Sequence, residues 1–125
     1  MKNKQTLIMA CCGAANVGQL SNKLARELVE NGYGSAFCLA GIGAYHRGFV
    51  KAATENDTVL IDGCSIGCGK LIFESAEVPL KKYLILTELG IEKAVGGGGP
   101  ASGFGVGQKS GSGSLRFAPA VAPNL

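Results

Sequence analysis

The stretch Thr6-Leu7-Ile8-Met9-Ala10-Cys11-Cys12-Gly13-Ala14-Ala15-Asn16-Val17-Gly18-Gln19-Leu20 decides the fold. It opens on a continuous apolar run, turns at a glycine and passes into a helical period. A strand covered on both faces is apolar at successive positions, so Thr6–Cys11 reads as a buried strand. Asn16 reads as a helix N-cap, with Gln19 three residues on as its capping partner. Val17, Leu20, Leu24 and Leu28 then recur at helical spacing, while Lys23, Arg26, Glu27 and Glu30 fall on the other faces. Asn31-Gly32 ends the helix, because glycine adopts the left-handed conformation found just past helix ends.

The same unit repeats along the chain. Ser35–Ala40 reads as a second strand ending at Gly41-Ile42-Gly43, and Arg47–Glu55 as a short helix. Thr58–Ile61 is a third strand closed by Asp62-Gly63. A further helix starts near Ile66–Cys68 and runs through Leu71, Ile72 and Ala76, stopping before Pro79. Tyr83–Leu86 is the fourth strand. Alternating strands and helices with apolar strands predict an α/β fold. Its form is a small three-layer sandwich on a four-stranded parallel sheet, of Rossmann or flavodoxin type, with the first strand beside the second.

The chain has 125 residues and is 46% apolar, with no Trp, so one domain with a largely aliphatic core is expected. That domain is placed at residues 1–95. Residues 96–125 form a Gly/Ser/Pro-rich tail with nine Gly, three Pro and no acid. Such a composition buries too little apolar surface to offset its ordering entropy, and the expectation is a disordered segment with Leu115-Arg116-Phe117 as its one candidate anchor. The net charge is +3 with no basic run, which speaks against nucleic acid as a partner. No apolar run approaches the roughly 20 residues of a spanning helix, which speaks against a membrane. Lys2 and Lys4 before Leu7–Cys11 outline a lipoprotein-like start. The apolar stretch is shorter than the roughly 7–15 residues of a signal peptide, however, so a cytoplasmic location is expected.

In a reducing compartment, five cysteines point to metal ligation or reactive thiols rather than disulfides. Cys11 and Cys12 close the first strand, Cys38 lies late in the second, Cys64 follows the third, and Cys68 stands near the next helix start. Parallel α/β sheets bind ligands beyond the carboxyl ends of their strands, and neighbouring strands are about 4.8 Å apart. Thiols at adjacent strand ends can therefore converge. Four thiolates suit Zn²⁺, and amide dipoles at a helix start help to stabilise their charge. The bland alternative treats each cysteine as a small buried hydrophobe, which would suffice for Cys38 taken alone.

Cys11-Cys12-Gly13-Ala14-Ala15-Asn16-Val17-Gly18, Cys38-Leu39-Ala40-Gly41-Ile42-Gly43, Asp62-Gly63-Cys64-Ser65-Ile66-Gly67-Cys68 and Thr87-Glu88-Leu89-Gly90-Ile91 occur in that order. Together they resemble the DGC-domain family, named for the step matched here by Asp62-Gly63-Cys64. The resemblance covers residues 7 to about 93 and implies a zinc ion on four cysteines, Cys11, Cys38, Cys64 and Cys68. Two departures stand out. The family's first segment usually reads Cys-Ser-Gly, so Cys12 sits at its Ser position and could replace Cys11 as ligand. The usual Pro after Asp-Gly-Cys is Ser65. The resemblance supplies a site but no reaction, leaving a structural, carrier or sensor role. It names no protein partner.

Other residues have competing readings. Asn16 serves as a helix cap or orients a ligand, and Asp62 forms a turn or supports a ligand from behind. His46, the only histidine, lies with Arg47 after the second strand and is a solvated residue or a fourth ligand. Gly13-x-x-x-x-Gly18 lacks the Lys-Ser/Thr of a nucleotide-binding P-loop. The alternative function is a thiol-dependent enzyme, for sulfur transfer or thiol-disulfide chemistry, with Cys64 or Cys68 as nucleophile and Cys11-Cys12 as a resolving pair.

Overall fold

The computed structural model describes residues 4–94. The tail and its anchor at 115–117 lie outside them. The elements are β1 (Thr6–Ala10), α1 (Asn16–Glu30), β2 (Ser35–Ala36), α2 (Leu39–Gly43), α3 (Arg47–Glu55), β3 (Asp57–Asp62), α4 (Cys68–Ser75) and β4 (Lys82–Ile85), followed by a 3₁₀ turn at Leu86–Leu89. All strand pairs are parallel and the sheet order is β2-β1-β3-β4. This is the flavodoxin-like order, whose direction reverses between β1 and β3.

Helices cover both faces, and the sheet residues divide between two cores by alternation. Ile8, Ala10, Val59 and Ile61 meet Leu20, Leu24, Ala25 and Leu28 of α1 on one side. Leu7, Met9 and Leu60 meet Leu39, Ile42, Ala53 and Phe73 from α2, α3 and α4 on the other. Side chains two apart on a strand share a face, so β1 and β3 feed both cores and must be apolar throughout. The helix expected from Asn31-Gly32 backwards ends as anticipated: Gly32 has φ 83°, and Tyr33 N–H donates to Leu28 at 3.0 Å.

The second strand is a correction. The expected Ser35–Ala40 shrinks to two residues, and Leu39–Gly43 is helix. Leu39 and Ile42 stand three apart, and both are buried against the α3–α4 side. That spacing is helical rather than alternating, and the apparent strand ran across a strand, a bend and a helix start. Gly41 lets α2 pack closely on α3, since a Cβ there would lie 2.6 Å from the Phe49 ring. Cys38 is therefore not a strand residue. It is the exposed residue before α2.

The α1 core gives a stability test. Leu24 is fully buried, whereas Leu71 is 57% exposed on α4. Leu24→Ala is expected to cost about 2–5 kcal/mol in urea unfolding and Leu71→Ala no more than about 0.5 kcal/mol. Equal costs would contradict this placement of α1.

Candidate metal centre

Two glycine-bearing loops emerge side by side where β1 and β3 end, and their backbones are in contact. A Cβ on Gly18 would lie 2.5 Å from the Gly13 carbonyl oxygen, and one on Gly63 would lie 2.6 Å from the Val17 backbone. Neither position tolerates a side chain without backbone movement. The Cys11–Ala15 loop also has its carbonyls held by α1. Gln19 Nε2 donates to Gly13 at 2.9 Å and more weakly to Cys12 at 3.4 Å. The buried Ser21 hydroxyl bonds the carbonyls of Cys11 and Gly18.

Asp62 organises the second loop. It is 1% exposed at the end of β3, and its carboxylate accepts from Gly69 N–H at 3.0 Å, Lys70 N–H at 3.1 Å and the Tyr83 hydroxyl at 2.6 Å. The first two are otherwise unpaired donors in the first turn of α4, where a negative charge also complements the helix dipole. A Cβ on Gly69 would lie 2.7 Å from Asp62 Oδ1, so glycine is what lets the carboxylate approach. Gly67, with φ 69°, turns the chain into α4, and its N–H donates to Cys64 O at 3.1 Å. Asp62 thus fixes the path from Cys64 to Cys68. Burial, followed by the hydrogen bond to Asp62, pushes the Tyr83 hydroxyl well above its ordinary range.

The cysteines divide between two cavities that share a wall. The larger, about 680 Å³, is lined by Cys11, Cys12, Cys38 and Cys68 together with Phe37 and Phe49. The smaller, about 120 Å³, lies at the β1–β3 reversal and is lined by Cys11, Cys64, Cys68, Asp62 and Lys93. Cys11 and Cys68 border both. Cys11 and Cys64 are half-buried, and Cys12, Cys38 and Cys68 are exposed. Burial pushes the Cys11 thiol up from its ordinary value. A hydrogen bond from the Gly13 backbone opposes this, and the charges of Asp62, Cys68 and Cys12 add to the rise. Burial likewise raises Cys12, with Cys38 contributing. All five thiols therefore reach one end of the sheet. Among the described residues, no three Cys, His, Asp or Glu stand close enough together to hold a metal ion.

Asn16 is not a cap. Ala15 precedes α1, and no side chain caps its start. Asn16 is buried; its Nδ2 donates to Glu92 O at 2.9 Å, and its Oδ1 accepts from Ala94 N–H at 2.6 Å. It pairs with a distant backbone segment as a strand would. Between those two points Lys93 donates from Nζ to Cys64 Sγ at 3.4 Å. His46 precedes α3 and packs edge-on against Phe49, with ring centroids 5.0 Å apart. Lys93, Tyr83 and the true partners of Asn16 were missed by the sequence reading. An isolated Lys or Tyr carries no spacing signal, and the contacts span 21 to 78 residues.

The DGC domain family matches residues 7–98. The chain is also 35% identical over 91 residues to a Pseudomonas aeruginosa protein named anaerobic and virulence modulator AnvM, covering 72% of this chain and 70% of that one. No solved structure matches the chain. Among the described residues, no helix is long and apolar enough to cross a membrane.

Two outcomes follow from the Asp62 contacts. Asp62→Asn supplies one acceptor oxygen where two are used and turns an NH₂ toward N–H donors. It is expected to cost about 2–4 kcal/mol, read by urea unfolding, because buried donors are left unsatisfied. A loss under 1 kcal/mol would contradict the described network. Tyr83 is held protonated in the folded chain, so its contribution to stability is complete below the unfolded tyrosine value of about 10 and declines as pH rises above it. Thermal unfolding should fall more steeply above that pH in the wild type than in Tyr83→Phe; parallel curves would disprove the assignment.

Proposed function

The chain belongs to the DGC-domain family, and on that premise we propose that it binds Zn²⁺ through Cys11, Cys38, Cys64 and Cys68 in a structural, carrier or sensor role. The observation that carries this reading is the convergence of thiols at one end of a parallel sheet, with Cys11 and Cys68 bordering both cavities. The donor chemistry fits a borderline divalent ion, since sulfur favours zinc over the hard cations. Asp62, the carboxylate that lines the smaller cavity, is already occupied by three hydrogen bonds and is a support rather than a ligand.

Between the adjacent cysteines, Cys11 is favoured as ligand. It lines both cavities, whereas Cys12 lines the larger one and its thiol donates to Ala10 O at 3.5 Å. Ligation requires sulfurs within about 4 Å of one another, given Zn–S bonds near 2.3 Å. The side chains must therefore close in on the ion, and the exposed Cys38 and Cys68 have the freedom to do so. Bound zinc would hold the two loops and the start of α2 together as a cross-link. Of the three roles, a sensor is in keeping with a relative named as a modulator.

A thiol-dependent enzyme is the second reading. The raised Cys11 and Cys12 thiols are poor nucleophiles near neutral pH, which confines this reading to the loop where Lys93 meets Cys64.

Protein purified under reductant is expected to carry about one equivalent of zinc by elemental analysis, as a single four-ligand site implies. Cys64→Ser and Cys68→Ser should each lower that content severalfold, and Cys12→Ser should leave it unchanged. Less than a tenth of an equivalent, with no uptake of added zinc, would refute the metal reading. Immediate alkylation of the as-purified thiols, with no protection that a chelator removes, would favour the enzyme.

A further inference from the structure

The segment Ile91–Ala94 leaves the 3₁₀ turn after β4 and returns across the thiol edge of the sheet. Three hydrogen bonds and one packing contact fix its course. Ile91 N–H donates to Leu86 O at 3.3 Å, and the Ile91 side chain packs against the α1 core. Glu92 O and Ala94 N–H are held on either side of Lys93 by the two ends of one buried amide, that of Asn16. A carboxamide presents an NH₂ donor and a carbonyl acceptor in one plane, and here one N–H and the oxygen pair with a backbone segment 76 and 78 residues away. The Lys93 backbone is thereby fixed on both sides, and its side chain has a defined starting point beside the Cys64 loop.

Lys93 Nζ lies 3.4 Å from Cys64 Sγ, and Lys93 lines the smaller cavity with Cys11, Cys64 and Cys68. An ammonium group carries three donors and no acceptor, so the sulfur must be the acceptor in this contact, and it accepts best when negatively charged. The salt bridge of Lys81 with Asp57 stands at the amino end of β3, away from the thiols. We infer that Lys93 is the built-in counter-ion of the thiolate centre, directed at Cys64, and that Asn16 is the positioning residue that holds it there.

The inference deepens the zinc reading and rests on it in treating Cys64 as a working thiolate. Four thiolates around Zn²⁺ carry two net negative charges, and a fixed ammonium beside one of them offsets part of that charge. The ammonium has the same effect on a metal-free thiolate, so the contact can be tested without zinc.

The test uses the metal-free, reduced full chain at one fixed pH. Cys64 is alkylated with iodoacetate, which is anionic, and with iodoacetamide, which is neutral, and the modified peptide is quantified by mass spectrometry. The ratio of the two rates reports the local charge met by the reagent. Lys93→Met should lower that ratio at Cys64 by about two- to fivefold, as expected of one exposed charge, and Lys93→Arg should keep it near the wild-type value. Asn16→Ala should lower it in the same direction, and the ratio at Cys12 should not move in any variant. Salt near 1 M should bring the wild type down to Lys93→Met, because the Debye length falls to about 3 Å. Lys93 is exposed, so its replacement should leave the fold intact, and circular dichroism of every variant, Asn16→Ala included, checks this. An unchanged ratio in Lys93→Met, or a Cys64 that reacts with neither reagent, overturns the inference. Failure to take up zinc with the ratio shift intact would instead sink the metal reading and leave Lys93 in place.

Discussion

A carboxylate buried without a cation needs hydrogen bonds to survive, and the site depends on the way Asp62 is satisfied. Its partners are two amides at the start of α4 and the hydroxyl of Tyr83 on β4. A charge removed from water is costly unless paired or fully hydrogen-bonded. Here the compensation comes from groups that themselves lacked partners, the first amides of a helix. The interaction joins β3, α4 and β4 and dictates the arc between Cys64 and Cys68. The Asp-Gly-Cys step can then be understood residue by residue. The Asp holds the next helix, the Gly lets the loop touch the Val17 backbone, and the Cys occupies the edge so created. Chemistry at that edge requires the carboxylate to remain buried behind it, bonded to both amides and the phenol.

The fold was legible because its strongest signals are local and periodic. Apolar strands at Thr6 and Thr58 and the four-residue rhythm of α1 follow directly from burial on two faces and on one. The second strand was not, and the reason is geometric. Alternation and helical spacing are indistinguishable over a few residues, and Ser35–Gly43 changes conformation twice within nine. The element concerned lies at the sheet edge, where one neighbour instead of two holds the backbone. Leu39 and Ile42 gain more by entering the α3–α4 core as one helical face than by extending the ladder.

The site was legible in its cysteines and opaque in everything that supports them. Cys11, Cys12 and Cys64 follow strand ends, which parallel topology carries to the same side, while Cys38 and Cys68 reach that side from the starts of α2 and α4. Register is needed to see more. Tyr83 pairs with Leu60, two positions before Asp62 on the same face of the sheet, and only that pairing brings the phenol to the carboxylate. Asn16 misled because a polar residue at a helix start is so often a cap. Its amide instead serves a segment 76 to 78 residues away, and nothing local distinguishes the two uses.

The exposure of the thiols bears on which role the proposed metal would play. A zinc ion that serves only to hold a fold is normally enclosed, with its ligands buried and its charge compensated internally. Here three of the five cysteines are exposed, and the cation nearest the centre is an exposed lysine on a clasped arm. The fold has two packed cores of its own and an internally satisfied Asp62, so its stability does not visibly require a cross-link. A compensating charge in solvent contributes little and is weakened by salt, which makes it ill-suited to permanent retention. It is suited to a centre whose occupancy changes with conditions. On the proposed zinc chemistry, the same features that make this edge a modest structural anchor favour exchange of the ion, and hence a carrier or sensor over a structural site.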